Sequence, residues 1–514
     1  HRSPPAEARR HGQMFISSLC RAVPVGMLDF ERAGEIIEWG YADAMEAMDS
    51  IKSRITARRS REQVAERRRA FRQRAPQFVI DRYEVTGLSD AQTAYVHDFI
   101  DSHRHRSPAD EPEGGMTFDT FRDNYLCLLA DGAFDGDYPT VAYSDATGRY
   151  GLSIPMRAKP ELALMFGGNI SSTAFNQAFI GFNHESIGRV AQRGYAELYI
   201  GPVYSSGALG GRTTFFLRRP MFIDYSYNFS VLNSMKGNFG NVTDVTNTRK
   251  MRQVENFLSL GFGMPLTHKS MLSLTVNGGV NAYRYYEGHD EVDQKTSRTR
   301  FLYVAPTLKY ERNTFDRRLY PRRGSRIAFS AGYVYGSDRY RRSPIYSGGF
   351  GMPALRAVRD WAVAHFEWES YFDIPACKWF SFGFDVEGAV SNHPGFFSAE
   401  ATAVTSVHYA PTTHSKMVYM PDFYADKFIA AGIMPTFDIT HDLMVRASAY
   451  AMFRERPTPG AERLNCIADL SVIYNTRLGP VSLSLTKYDF KSAGNMYLTI
   501  NFGYALFAPH GLGD

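Results

Sequence analysis

A serine acyl hydrolase holds its nucleophile in a strained Gly-x-Ser-x-Gly turn between a strand and a helix. The nearest run in this chain, Gly151-Leu152-Ser153-Ile154-Pro155, puts proline where the second glycine is required, so Ser153 has no such elbow. His289, Asp290, Glu291 and Asp293 bring together the imidazole and carboxylate donors that a divalent cation takes. A run of that polarity also describes the solvated tip of a loop, and this is the better account. Cys20, Cys127, Cys377 and Cys466 are too scattered for a metal-binding pair or a disulfide framework. The chain offers no catalytic residue, no metal site, no cofactor-binding motif and no surface suited to nucleic acid.

What the fold must position is therefore surface, and composition says of what kind. The 514 residues include 31 Tyr, 37 Phe and 43 Gly, with 14% aromatic, yet the mean hydropathy is -0.31. No stretch reaches the roughly 18 to 20 apolar residues of a spanning helix. Transmembrane strands need only about 10 residues each, alternate side chains facing lipid, and they leave average hydropathy low. The net charge of +5 is unevenly placed, because residues 52–74 hold ten Lys or Arg against Glu62 and Glu66. That run reads as a solvated connector, or as a contact for anionic lipid or another protein.

From residue 160 onward the apolar period is two. Ile327, Phe329, Ala331, Tyr333 and Tyr335 share one face of their segment, and Arg326, Ala328, Ser330 and Gly332 the other. Leu443, Val445, Ala447, Ala449 and Phe453 oppose Arg446, Ser448 and Arg454; Val481, Leu483 and Leu485 oppose Ser482, Ser484 and Thr486. Strands starting near 161, 173, 194, 207, 221, 251, 268, 299, 324, 358, 378, 427, 441, 465, 479 and 495 make about sixteen, an even number. A soluble sandwich alternates in the same way, so the connections decide. Those after odd strands are mostly long (233–250, 286–297, 336–357, 391–426, 454–463), and those after even strands mostly short (218–220, 264–267, 374–377, 476–479). Transmembrane barrels sort their loops in this way. The expectation is a mainly β chain whose residues 159–514 form an antiparallel transmembrane β-barrel of about sixteen strands, in the outer membrane of a bacterium and in contact with its lipid.

Residues 77–158 read as a small β-α-α-β-β domain ahead of the barrel. A strand over 78–86 stops at Gly87, and Ser89 and Gln92 bracket the start of a helix reaching about 103. After a polar loop, Thr117 opens a second helix with Phe118, Phe121, Tyr125, Leu128 and Leu129 on one side, and strands follow near 139–143 and 149–156. Residues 51–76 form the basic linker. Within 1–50, Ala33, Ile36, Ile37, Tyr41, Ala44, Met45 and Met48 make one helical stripe, with Asp29 in the N-cap place. An amphipathic helix needs something to pack on, so 1–50 read as the tail of a domain lying upstream of His1.

The β-α-α-β-β order, with Gly132-Ala133-Phe134 after the second helix, resembles a POTRA domain, the periplasmic module that precedes barrels of the BamA/TamA-like superfamily. The resemblance implies a periplasmic position, with other outer-membrane or periplasmic proteins as partners. Within 312–324, Asp316, Pro321 and Gly324 resemble the turn those barrels carry before a strand. Asn501-Phe502-Gly503-Tyr504-Ala505-Leu506 resembles the signal by which barrels are recognised for insertion, with Asn501, Gly503 and Leu506 in its polar, glycine and hydrophobic places. An amphipathic edge strand would look the same, and residues 508–514 trail beyond it.

Helix, basic linker, one POTRA-like module and barrel, in that order, are similar to the C-terminal part of outer-membrane patatin-like proteins of the Bacteroidetes type. That likeness implies a lipid acyl hydrolase (phospholipase) domain upstream, with this chain as its anchor or translocator and the catalytic residues elsewhere. Asp131-Gly132-Ala133 has the letters of that family's aspartate motif, but it stands at a helix end where a turn glycine is expected. BamA-like barrels also carry an Arg-Gly-aromatic motif between strands eleven and twelve, whose arginine meets the barrel wall. Here 417–427 have no Arg-Gly, and Arg193-Gly194-Tyr195, at the start of an early strand, has the letters in the wrong place. Two other readings stay open: an assembly or secretion factor whose POTRA-like strands take up clients by β-augmentation, and a channel or structural partner in a surface complex.

Overall fold

The structure, a computed structural model, describes residues 33–55, 59–73, 78–102, 115–130, 132–171, 177–188, 190–202, 204–216, 220–233, 251–267, 269–286, 296–317, 319–343, 353–374, 377–416, 420–440, 442–455, 463–476, 479–488, 490, 496–503 and 511–512. They fall into two units, divided after Gln77.

In the first unit, α1 (Ala33–Glu46), α2 (Met48–Arg54) and α3 (Arg61–Gln73) follow one another. The basic stretch is thus partly helical. Ser60 and Gln63 form a capping box at the start of α3, Ser60 Oγ accepting the Gln63 N–H at 3.2 Å and Gln63 Oε1 the Ser60 N–H at 3.1 Å. None of the described side chains of α3 is buried, so its arginines stay solvated. On α1, Ile37, Tyr41 and Met45 lie four apart on one exposed face. Residues 28–32 of the expected helix lie outside the described residues.

The second unit opens with a mixed α/β module: β1 (Val79–Thr86), α4 (Asp90–Ser102), β2 (Met116–Thr117), α5 (Phe118–Ala130), β3 (Phe134–Gly136), β4 (Thr140–Ser144) and β5 (Arg149–Ala158). The two-residue β2 and three-residue β3 add to the expected order. Both pair where a longer strand passes, β2 on β1 and β3 on β5, and neither is long enough to show a period. β1 runs parallel to β5, while β4 is antiparallel to it. Ser89 and Gln92 bracket α4 as read from the sequence, Ser89 N–H donating to Gln92 Oε1 at 3.1 Å. Tyr95, Val96, Phe99 and Ile100 of α4 pack with Phe121 and Leu128 of α5 over Ile80, Ile154 and Met156 of the sheet.

Sixteen strands close the barrel: β6 (Leu162–Ser171), β7 (Gln177–Ile187), β8 (Ala191–Ile200), β9 (Tyr204–Phe216), β10 (Pro220–Asn233), β11 (Met251–Thr267), β12 (Ser270–Tyr285), β13 (Ser297–Asn313), β14 (Gly324–Arg341), β15 (Leu355–Ile374), β16 (Cys377–Ser391), β19 (Lys427–Asp438), β20 (Leu443–Arg454), β21 (Leu464–Thr476), β22 (Gly479–Lys487) and β23 (Met496–Gly503). The two-residue β17 (Val407–His408) and β18 (Tyr424–Ala425) pair inside the connection between β16 and β19. All barrel pairs are antiparallel, and β23 closes on β6 from Thr499↔Ser171 to Gly503↔Gly167 among the described residues. At one rim β7–β8, β11–β12, β15–β16 and β21–β22 are joined by at most three residues, and apart from that between β13 and β14 every connection of ten residues or more joins strands at the other rim. Ile187 and Ala191, flanking the 188–190 turn, join the core of the α/β module and hold that module at the short-connection rim.

The alternation sorts as the sequence requires. Phe329, Tyr333, Leu302, Leu483, Leu498 and Ile500 face outward, while Arg446, Ser448, Ser482, Thr486 and Thr499 are buried inside. Fully burying one large apolar side chain is worth about 1.5–3 kcal/mol. A belt of dozens left in water forgoes all of that gain and far exceeds the contiguous apolar patch that soluble monomers expose. Lipid against the outer wall removes the conflict, and the barrel is transmembrane. Among the described residues no helix is long and apolar enough to cross a membrane.

Candidate functional site: the filled lumen

Residues 314–323, joining β13 to β14, form the long exception at the short-connection rim, and local geometry explains Asp316, Pro321 and Gly324. Asp316 Oδ1 accepts the backbone N–H groups of Arg322 (3.0 Å) and Arg323 (3.1 Å), which pins both sides of the turn with one carboxylate. Gly324 adopts φ 101°, and a Cβ there would lie 2.1 Å from the Thr314 carbonyl oxygen, so only glycine fits. The Pro321 carbonyl accepts from Arg446 Nη2 at 2.6 Å.

Arg446, on β20, is where this rim of the lumen converges. Its Nε donates to Thr436 Oγ1 at 3.0 Å and its Nη1 to Tyr371 Oη at 3.3 Å. Its guanidinium lies 4.8 Å from the Tyr371 ring centre and 5.7 Å from that of Tyr320. Tyr320 has φ 52°, a left-handed backbone for a bulky residue. Its hydroxyl donates to Ser482 Oγ at 2.7 Å, tying the turn to β22. Sequence reasoning placed Arg446 on the polar face and gave it no role. The one available signal was an arginine among small inward residues.

From the opposite rim, residues 392–416 and 420–426 turn back inside. Ser398 Oγ accepts the Ala401 N–H at 3.2 Å and starts α6 (Ala399–Thr405). Phe396 meets Phe301 edge-on, centroids 5.0 Å apart. Tyr409 and Phe423 are buried among Phe428, Met434 and Tyr450 of the wall. His414 Nδ1 is 2.8 Å from the Tyr488 hydroxyl, and its ring stacks on Tyr497 at 4.5 Å. Burial pushes the His414 imidazole down to about 3. Burial, with Arg359 nearby, pushes that of His393 down to about 4. Both rings are neutral at pH 7.

A further contact ties this connection to the wall. Arg454 of the wall donates Nη2 to Asp422 of the connection at 2.8 Å and Nη1 to the Tyr424 carbonyl at 3.3 Å. The wall supplies the guanidinium and the inserted segment the carboxylate, and the ion pair ties the segment to β20. Lower in the lumen, toward the short-connection rim, Arg326 sits between Glu311 (3.1 Å) and Glu367, and His365 Nε2 is 2.9 Å from Glu387. Inward charges here have partners, as charge held away from bulk water requires.

The remaining residues singled out in the sequence do not come together. Ser153 lies in the extended β5, Cα partner of Glu84 and Thr140, with no turn around it. Gly132 has φ 84° just past α5, the helix-ending glycine expected there. Arg193, on β8, pairs with Glu185 of β7 at 2.8 Å. Asn501 is buried in the lumen face of β23, Nδ2 donating to Ser482 Oγ at 3.2 Å, and Gly503 is the last residue of that strand. Leu506, Asp131, 289–293 and 417–419 lie outside the described residues.

No protein-family model matches the chain, and no curated protein matches it in sequence. Solved structures do. BamA from Haemophilus ducreyi, crystallised lacking POTRA domains 1–3, is similar with a TM-score of 0.54 at 10% identity, over 83% of this chain and 84% of that one. CdiB from Acinetobacter baumannii is similar with a TM-score of 0.50 at 7% identity, over 83% of this chain and 74% of that one. At such identities the likeness speaks for the fold alone, a closed sixteen-stranded barrel behind a small α/β module, as in that BamA structure.

Proposed function

We propose that this chain is an assembly or secretion barrel of the bacterial outer membrane, its α/β module a POTRA-like domain on the periplasmic side that takes up extended polypeptides. The observation that carries the reading is β4. Among the described residues it pairs with β5 alone, and it keeps Val141 and Tyr143 about half exposed, next to the almost fully exposed Tyr138. An open strand edge flanked by exposed aromatic and branched side chains is what β-augmentation uses: main-chain hydrogen bonds give affinity, and alternate side chains give choice. The turn at Asp316, Pro321 and Gly324 and the signal at Asn501, Gly503 and Leu506 belong to the same reading, one bracing the barrel and the other marking it for insertion. A photo-crosslinking residue at Val141 or Tyr143 should capture periplasmic forms of other outer-membrane proteins, and depletion of the protein should lower their abundance. Unchanged outer-membrane composition after depletion would overturn the proposal.

A second reading rests on α1, whose exposed Ile37, Tyr41 and Met45 would fit a docking face for a preceding domain. In it the chain anchors a patatin-like lipid acyl hydrolase. Peptide sequencing of the protein isolated from its own membrane decides this. A native polypeptide without a Gly-x-Ser-x-Gly segment ahead of residue 1 removes it.

A further inference from the structure

On the wall formed by β11–β15, near the long-connection rim, the outward face carries arginines in register. Arg252 on β11 is the Cα partner of Arg284 on β12, which partners Arg298 on β13, which in turn partners Arg341 on β14. One rung nearer the lipid band, Arg300, Arg339 and Arg356 on β13, β14 and β15 stand side by side in the same way. These residues alternate with Tyr285, Thr299 and Tyr340, which are buried on the lumen side, so the arginines belong to the outer face. Apart from the half-buried Arg252 they are exposed. With about 4.8 Å between strands and about 3.4 Å per residue along them, seven guanidinium-bearing side chains are rooted in a patch of roughly 19 by 7 Å.

Cations placed directly opposite one another destabilise a sheet. A counter-charge is therefore required, and the described residues do not provide it: none of the seven arginines is in an ion pair among them. Asp360, the outward carboxylate of β15, lies two rungs below Arg356 and takes the Tyr333 hydroxyl. Height decides what supplies the charge. Leu302 and Val358, one rung below Arg300 and Arg356, are outward and 57% and 63% exposed. They belong to the face that lipid covers, so the arginines stand where acyl chains end and headgroups begin. A headgroup phosphate is anionic, and two of its oxygens match the planar fork of one guanidinium. Arginines on neighbouring strands let one phosphate be held from two sides.

We propose that the two rungs form an arginine belt that binds the phosphate groups of anionic phospholipid in the leaflet at the long-connection rim. The lipid is the counter-ion that lets seven arginines share one face, and it grips this wall at headgroup level. The belt requires a barrel in a bilayer and is independent of the assembly or secretion reading. The competing counter-charge is that of Glu287, Asp290, Glu291 and Asp293, which lie outside the described residues in the connection joining Arg284 to Arg298.

The test uses the full chain in vesicles, with Trp39, Trp361, Trp368 and Trp379 replaced by Phe and a reporter indole introduced by Leu302→Trp, just below the belt. Bromine on the acyl chains of phosphatidylglycerol or of phosphatidylcholine quenches this indole according to each lipid's occupancy beside it. In an equimolar mixture at low salt, phosphatidylglycerol should be favoured about threefold or more, and salt at about 0.5 M should remove most of that preference. Arg298→Gln, Arg300→Gln, Arg339→Gln and Arg341→Gln together should bring the ratio to about one, whereas lysine at the same four positions should keep a preference. Folding is read from heat-dependent electrophoretic mobility, and the salt series keeps the test decisive if the glutamine variant folds poorly. Equal quenching by the two lipids with the native belt would overturn the proposal, as would a preference that salt or the four glutamines leave intact. Equal quenching that becomes a preference after Glu287→Gln, Asp290→Asn, Glu291→Gln and Asp293→Asn would overturn it likewise, by assigning the counter-charge to the chain itself.

Discussion

The β7–β8 hairpin and the β14–β15 hairpin belong to one closed sheet, yet they stand in the membrane differently. β8 has 10 residues, which at about 3.4 Å per residue and a tilt near 40° rise roughly 26 Å, just the height of an apolar band of about 25 Å. β14 has 18 residues and rises roughly 47 Å by the same reckoning. The outward face of β14 records where lipid ends: Phe329, Ala331, Tyr333 and Tyr335 give way to Ser337, Arg339 and Arg341. On β15 the outward Ala362, Ala364, Phe366 and Trp368 give way, going up, to Asp360, Val358 and Arg356, and Tyr333 donates to Asp360 at 2.9 Å where the change begins. The long wall projects above the membrane, and the segment 392–426 leans on its inner side through Trp361, Phe396 and Phe397. The short side has no height to spare. One sheet thus serves as a platform on one side and as little more than a membrane crossing on the other.

Hydrogen exchange should show the contrast most strongly. The β14–β15 ladder holds seventeen Cα pairs and β7–β8 ten, and opening free energies follow the extent of cooperative pairing. Amides in the lower half of β14 should exchange at least about a hundredfold more slowly than those of β8, a gap of about 2.7 kcal/mol. Similar rates on both hairpins would show that the lipid, and not ladder length, sets their stability.

The hairpins also separate what the sequence could disclose from what it could not. The strands were legible because lipid on one side and lumen on the other impose a strict period of two on every crossing, and because loop length sorts by rim. Asp316, Pro321 and Gly324 were legible because a turn's geometry is decided within a few residues. The interior was not. Arg446 meets Pro321 from 125 positions away, His414 meets Tyr488 from 74, and Arg454 meets Asp422 from 32. No local pattern records such pairings, since each side chain is chosen by a neighbour that only the closed sheet supplies. The Arg454–Asp422 pair makes the point: the arginine stands on β20 and its carboxylate in the inserted connection, and neither neighbourhood records the other.

A charge placed within the lipid band should break the long wall where a charge above it does nothing. Phe329 is 48% exposed and lies within the outward apolar run that ends at Tyr335; Phe329→Arg should cost up to about 2–4 kcal/mol, the range for charges near the bilayer midplane. Arg339→Leu, ten residues up the same outward face, should stay within about 0.5 kcal/mol. Urea unfolding in lipid vesicles measures both. Equal costs would mean that the band extends to the top of β14 and that the wall does not project.

The platform's load should come loose with acid, and the effect vanishes at neutral pH. His393 and His414 have folded pKa values of about 4 and about 3, below the ordinary value near 6.5. Between these limits the released segment binds protons that the seated one does not. Seating therefore contributes fully above about pH 6.5 and weakens as the pH falls through that value toward 4. His393 faces Arg359, Thr405 and Asp426, and its ring meets Trp361 edge-on at 4.5 Å. His414 faces Tyr488 and Tyr497. With Trp39, Trp368 and Trp379 replaced by Phe, the fluorescence of Trp361 reports the first of these contacts, since a protonated imidazole quenches an adjacent indole. The transition should have its midpoint below about pH 5.5, well under the free imidazole value. It should be absent in His393→Gln, which keeps the ring's neighbours but cannot titrate. A midpoint at the free imidazole value would mean that water already reaches His393, and that the long wall supports the inserted segment by its rings alone.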